Sequence, residues 1–363
     1  MTLIERVIKP QIRGLTRLAD SAPDRFDYLR LDKNERLLEF AGAALRDLQA
    51  RLISQAWTGY PELAPLYDRL AAYLGVAPPQ LYLTSGSDLA IRAIYEAAVG
   101  PGDEVVLHLP SYAMYRVYTA MTGAVARSVP LRAETWQVDW DGMLAQVGPR
   151  TKLLAVEYPN GFLGTVPAAA DLARAARCLC ERNVLLVIDG AYYYVEHSAN
   201  DLRQLVADWP NVLLVQTFSK AHGLAGARLG YVVGRAELVQ EVAKTRPMHE
   251  LTGPTAVATH WLLDHPELLT AYQQEVAASK QVLREGMARL GVDWRDTAAN
   301  FVLLFLPDHG RTANLTARLK QRGILIRRPF TEPWLAGWCR VTVGTCADSR
   351  RLTAAITDAL AGG

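Results

Sequence analysis

The stretch Thr217-Phe218-Ser219-Lys220-Ala221-His222-Gly223-Leu224-Ala225-Gly226-Ala227-Arg228-Leu229-Gly230-Tyr231 decides how the rest of the chain is read. It follows the apolar run Val212-Leu213-Leu214-Val215, whose length and β-branched content suit a buried strand. A lysine placed where such a strand opens into a small-residue loop is held on a rigid element and partly desolvated. Desolvation disfavours the ammonium form, so the amine can act as a nucleophile near neutral pH. Ser219 and Arg228 bracket it with a hydroxyl and a guanidinium, the groups that grip a phosphate. A lysine able to form a Schiff base beside a phosphate grip points to pyridoxal 5′-phosphate. An isolated Ser-Lys after a strand is usually plain surface, so the reading rests on what the rest of the chain supplies.

Upstream, Val184-Leu185-Leu186-Val187-Ile188 is the most strand-like run, and it ends at Asp189-Gly190-Ala191-Tyr192. A carboxylate at the end of a buried parallel strand is costly to desolvate unless it pairs. A pyridinium nitrogen is one such partner, and a helix N-cap is the plainer alternative. Leu81-Tyr82-Leu83-Thr84 reads as a short strand that turns through Ser85-Gly86-Ser87-Asp88 into a helical stretch from Leu89 to Val99. Such a turn aims backbone N–H groups and a helix dipole outward, and these bind phosphate. An N-cap by Ser87 or Asp88 is compatible with that role. Glu104 to Leu109 reads as another strand, followed by Pro110-Ser111-Tyr112-Ala113-Met114-Tyr115. An aromatic just past a strand end can lie flat on a planar cofactor, although a core tyrosine fits the same pattern.

Taken together these segments resemble the histidinol-phosphate aminotransferase branch of the class I/II aminotransferases, from about Leu31 to Gly344. The resemblance implies an α/β chain of pyridoxal-phosphate fold type I. It implies a mainly parallel sheet sandwiched by helices in a large domain, with a smaller α+β carboxyl-terminal domain. It makes Lys220 the lysine that holds the cofactor, with Ser219 and Arg228 on its phosphate and Thr217 beside them. Gly86, Ser87 and Asp88 join the phosphate region, and Tyr112 stacks on the ring. Asp189 faces the ring nitrogen, and Tyr192 donates to the phenolic oxygen O3′. The loop Glu157-Tyr158-Pro159-Asn160-Gly161-Phe162-Leu163-Gly164-Thr165 departs from the family's Pro-Asn-Asn-Pro-Thr-Gly. The second Asn of that motif, an O3′ donor, falls on Gly161, so either Asn160 swings in or the contact is lost. Tyr60, in Trp57-Thr58-Gly59-Tyr60-Pro61-Glu62, is implied to reach the neighbouring subunit's cofactor phosphate, which makes the active unit a homodimer. Arg340, in Cys339-Arg340-Val341-Thr342-Val343-Gly344, and Arg327 are the implied binders of an anionic substrate, to which a guanidinium fork is suited. The arm segment Leu31-Asp32-Lys33-Asn34-Glu35 is similar to one that closes over the family's active site. Here it continues into Arg36-Leu37-Leu38 where Pro and Gly are usual.

The expected organisation is an arm over 1–35, a large cofactor-binding domain over 36–245 and a small domain over 246–363. The chain has 363 residues, is half hydrophobic and carries a formal charge of +2. That charge is too small to argue for nucleic acid or an acidic membrane surface. No segment reads as a signal peptide or membrane span, so the expected location is cytoplasmic. The C-x-C pair Cys178 and Cys180 lies in a helical pattern, and no metal site is expected. The implied activity is amino transfer between a small anionic amino compound and a 2-oxo acid. The alternative is a relative that decarboxylates, eliminates, oxidises or cyclises an amino acid. A regulatory cofactor-binding domain is a more distant rival, because residues 1–35 are too short and too weakly basic for a DNA-binding module.

Overall fold

The computed structural model describes residues 2–15, 24–197, 202–306, 309–330 and 332–361; residues 16–23 of the expected arm lie outside these. Among the described residues twelve strands follow in chain order: β1 Leu29–Leu31, β2 Leu81–Thr84, β3 Glu104–Leu109, β4 Val125–Pro130, β5 Thr151–Glu157, β6 Leu185–Asp189, β7 Val212–Thr217, β8 Gly230–Gly234, β9 Asp293–Arg295, β10 Phe301–Phe305, β11 Ile324–Ile326 and β12 Trp338–Thr342. Seven of them form one sheet in the order β2-β8-β7-β6-β5-β3-β4, parallel except at β8, which runs antiparallel to both neighbours. β10 lies between β12 and β9 in an antiparallel sheet, and β1 pairs in parallel with β11. This is the fold-type I α/β architecture that the resemblance implies.

The large sheet is buried on both faces, which is why its central strands read as unbroken apolar runs. Alternate residues feed two cores: Leu153, Ala155, Val187 and Leu213 pack on one side, and Leu154, Val156, Leu186 and Leu214 on the other. The helix Ala169–Cys180 shows the matching helical period, burying Leu172, Ala175, Ala176 and Leu179 on one stripe. Cys178 and Cys180 are unpaired within it, as are Cys339 and Cys346. The described part of the arm carries regular structure. Short helices form at Leu3–Val7 and Pro10–Arg13, the first closed by a Thr2–Glu5 capping box. Among the described residues, no helix is long and apolar enough to cross a membrane.

The parallel strands β3, β5, β6 and β7 all end at one edge of the sheet. Open α/β sheets place their ligand crevice outside that edge, because the loops leaving the carboxyl ends of neighbouring strands diverge there. Tyr112, Glu157, Asp189 and Lys220 follow or end these four strands.

Candidate active site

A cleft of about 350 Å³ opens at this edge, within the ~300–1,000 Å³ typical of small-molecule sites. Its wall includes Ser87, Asp88, Tyr112, Asp189, Tyr192 and Lys220. Thr217, Ser219, Arg228, Arg327 and Arg340 also face it.

Lys220 leaves the end of β7 and its Nζ donates to the Lys33 carbonyl at 2.9 Å, lying 5.3 Å from the centre of the Tyr192 ring. Ser219 is set by Thr217, whose Oγ1 lies 2.9 Å from Ser219 Oγ and accepts the Ser219 N–H at 3.1 Å. Arg228 Nη1 donates to the same serine at 3.4 Å. Opposite them the helix Ser87–Ala98 begins. Gly86 is its N-cap with φ +83° and no side-chain cap bond, so neither Ser87 nor Asp88 serves as the cap. A Cβ on Gly86 would sit 2.2 Å from Arg228 Nη2, so the glycine lets the guanidinium close on the helix end. An uncapped helix N-terminus, two hydroxyls and an arginine form a set of donors fit for a phosphate.

Asp189 ends β6 and is buried. Its Oδ1 accepts from the Ala191 N–H at 3.0 Å and its Oδ2 from the Tyr115 hydroxyl at 3.2 Å. Burial raises its pKa to about 6. A cationic ring nitrogen would restore its ionised form. Tyr112 precedes the helix Ala113–Thr122, with its hydroxyl 3.4 Å from Asp88 Oδ1. The Tyr192 hydroxyl accepts from Asn34 Nδ2 at 3.0 Å, which leaves its own proton to donate.

Arg340, on β12, is buried. It donates to the carbonyls of Gly161 and Asp32, and its Nε has no partner. Burial lowers its pKa to about 10, so the guanidinium remains charged at neutral pH. A buried cation with an orphaned donor fits an anionic ligand. Arg327 follows β11 and is exposed at the rim.

Asn160 is placed elsewhere, and Tyr60, expected to serve a neighbouring subunit, lies outside the cleft of its own chain. Asn160 does not swing into the cleft. Its Oδ1 accepts from the N–H groups of Phe162 and Leu163 at 2.9 and 2.7 Å, and its Nδ2 donates to the Pro110 carbonyl at 3.1 Å. That amide is consumed in holding the loop. Tyr60 is 80% exposed, away from the cleft, with its ring stacked 4.0 Å from that of His249.

Three residues were not singled out by sequence. Asn34 binds Tyr192, and Tyr115 binds Asp189. Glu157, buried at the end of β5, accepts the Tyr112 and Gly161 N–H groups at 2.6 Å each. The rule that drew attention to Asp189, a carboxylate closing a buried strand, applies equally to Glu157. Arg36, at the arm's departure from the family pattern, donates to the carbonyls of Leu38, Ala221 and Leu268, fastening the arm beside the lysine loop.

Fold and cleft together define a transferase of the fold-type I class. The chain belongs to the aminotransferase class I and II family, whose pattern it matches over residues 27–356. It is 35% identical over 340 residues to a histidinol-phosphate aminotransferase of Symbiobacterium thermophilum, covering 93% of this chain and 92% of that one. A Burkholderia lata histidinol-phosphate aminotransferase is 31% identical over 367 residues, the full length of both. Among solved structures, the histidinol-phosphate aminotransferase of Sinorhizobium meliloti in complex with pyridoxal-5′-phosphate superposes with a TM-score of 0.88 at 26% identity, over 98% of each chain. A Thermus thermophilus aspartate aminotransferase with maleate shares the fold, with a TM-score of 0.79 at 22% identity over 97% of this chain and 99% of that one.

Proposed function

We propose that this chain is a pyridoxal-phosphate-dependent aminotransferase that moves an amino group between an anionic amino compound and a 2-oxo acid. The observation that carries the reading is the convergence of Lys220, Asp189 and a phosphate grip on one cleft that Arg340 also enters. Ser87, Ser219 and Arg228 hold the cofactor's phosphate, with Gly86 and Thr217 shaping their approach and Asp88 orienting Tyr112 from the same helix end. Tyr112 would lie against the ring, Asp189 would pair with its nitrogen and Tyr192 would donate on the O3′ side. The bound cofactor supplies an electron sink for the bond broken at the substrate Cα. Lys220 would hold it through Nζ, and the same amine, free beside the substrate, would carry the proton to and from Cα as general acid and base. Arg340 and Arg327 fix the substrate's anionic group. Tyr60 reaches the second subunit of a homodimer, consistent with its position outside its own cleft. The four unpaired cysteines agree with a cytoplasmic setting.

The relatives' names make histidinol phosphate the first donor to try, with glutamate and a panel of amino acids beside it. Each is added singly to the enzyme while the cofactor absorbance is followed. Clean conversion to the amine form with one donor, reversed by a 2-oxo acid, is expected. Product formed without any amine form would overturn transamination in favour of decarboxylation, elimination, oxidation or cyclisation.

A further inference from the structure

Glycine at 161 is not required by its own backbone, which is not among the positive-φ positions. What a side chain there would meet is Glu157 and the edge of the Tyr192 ring. A Cβ at 161 would lie 2.9 Å from Glu157 Oε2, so the carboxyl stands where that side chain would begin. Each carboxyl oxygen is fixed by one backbone N–H, from Tyr112 and from Gly161, and the group borders the cleft.

Strand order settles which edge of the cofactor this carboxyl meets. The phosphate grip lies around the end of β7 and the helix Ser87–Ala98. Asp189 ends β6 next door, and Glu157 ends β5 beyond it, register-paired with Asp189. On pyridoxal phosphate, O3′ lies on the ring edge away from the phosphate arm, between the carbon bonded to lysine and the ring nitrogen. With phosphate toward β7 and nitrogen toward β6, that edge turns toward β5. We propose that Glu157, as its carboxylic acid, donates a hydrogen bond to O3′ in the space that Gly161 leaves open. This rests on the cofactor and Lys220 reading above.

The surroundings favour the acid form. Burial and the facing Asp189 on β6 raise the Glu157 pKa to about 8 against its backbone donors. His108 on β3 brings no charge: burial lowers its pKa to about 4, and its Nε2 accepts the Glu157 N–H at 3.2 Å. Arg340 on β12 opposes the shift, but its guanidinium donates to the Gly161 and Asp32 carbonyls. Lys220, Asp88, Tyr112 and Tyr192 line the same cleft, and the Tyr115 hydroxyl, which bonds the neighbouring Asp189, also faces Glu157.

The test is an absorbance titration of holoenzyme against pH, with cofactor Kd measured alongside. A donor on O3′ weakens that oxygen's hold on the proton it shares with Lys220 Nζ, so its loss raises the titration midpoint. Glu157→Ala is expected to raise the midpoint by about one pH unit, a tenfold change, and to weaken cofactor binding. Glu157→Gln keeps an N–H donor and one accepting oxygen but gives up one of the two backbone N–H bonds, so its midpoint lies nearer wild type than that of Glu157→Ala. Glu157→Ala combined with Gly161→Asn returns toward wild type, because the amide then has room. A buried carboxylate anion predicts the reverse sign, since removing negative charge lowers the midpoint. A fall in Glu157→Gln or Glu157→Ala, or no movement in Glu157→Ala, overturns the proposal. If the alanine variant does not fold, Glu157→Leu, which also lacks a donor, takes its place with the same rise expected and the same lack of movement overturning the proposal. Borohydride that fails to fix cofactor to Lys220 would instead sink the underlying reading.

Discussion

Arg340 keeps its charge in a buried position where, among the described residues, its hydrogen bonds go to main-chain carbonyls and its Nε has no partner. Such a group is expensive until an anion arrives, and a lysine cannot reproduce its fork. Arg340→Lys is therefore expected to raise KM for an anionic donor roughly 10- to 100-fold, the worth of a charged hydrogen bond at about 1.5–3 kcal/mol. Steady-state kinetics with the donor found above would check it, and an unchanged KM would remove Arg340 from the substrate site. Glu157 and Asp189 make a second residue-scale prediction, through stability. Both have pKa values raised in the folded chain, to about 8 and about 6, because burial penalises their charged forms. The fold thus binds their protons more tightly than the unfolded chain does. Their contribution is complete below the unfolded carboxylate values and is lost as pH rises through about 6 and then about 8. Cofactor-free enzyme should lose a few degrees of Tm between about pH 5 and pH 8.5, and Glu157→Gln should flatten the upper part of that slope. A Tm that rises across this window would show both groups ionised in the fold.

At the scale of elements, the segment after β1 couples two sheets to the cleft. β1 pairs with β11, and three residues later Asn34 sits buried at φ +55°, a left-handed backbone that Asn tolerates better than most residues. Its Oδ1 accepts from Thr342 Oγ1 at 3.0 Å, its carbonyl accepts from Asn300 Nδ2 at 3.1 Å, and its amide reaches Tyr192. Asn34→Gly preserves the backbone while removing the side-chain ties. We expect it to lower kcat/KM about tenfold, one or two hydrogen bonds' worth, and to speed tryptic cleavage at Lys33. Unchanged cleavage would show that β1 pairing and the Arg36 bonds hold the arm without the Asn34 side chain. The same element shows where sequence reading stops. Lys220, Ser219, Arg228 and the Gly86-Ser87-Asp88 turn were legible because each lies next to a strand whose apolar run is visible in the chain itself. The pairs Asn34–Tyr192 and Tyr115–Asp189 were not, since they join residues 158 and 74 positions apart through sheet order and register. Asn160 misled for a related reason: a short polar side chain in a tight loop can satisfy the loop's own N–H groups before it reaches a ligand.

At the scale of the whole molecule, Tyr60 poses the remaining structural question. It is exposed and outside its own cleft, and Ile53, Trp57 and Met248 are exposed large apolar residues from the neighbouring segments. Surface of this kind is commonly covered by a partner. In a two-fold dimer, a residue that serves the other subunit's cofactor does so reciprocally, so under the proposal each site would draw Lys220 from one chain and Tyr60 from the other. This arrangement can be tested by complementation. Lys220→Ala chains lack the lysine but keep Tyr60, whereas Tyr60→Ala chains keep the lysine but lack the phosphate contact. Each homodimer is expected to be impaired, the first severely. In an equal mixture refolded together, half the dimers are mixed, and one of the two sites in each is intact. Activity should then recover to roughly a quarter of wild type, above the sum of the two separate variants. Recovery requires that the two residues act across the interface. If the mixture shows only the average of its parents while sedimentation confirms mixed dimers, Tyr60 serves its own chain or none, and each cleft is complete within one subunit.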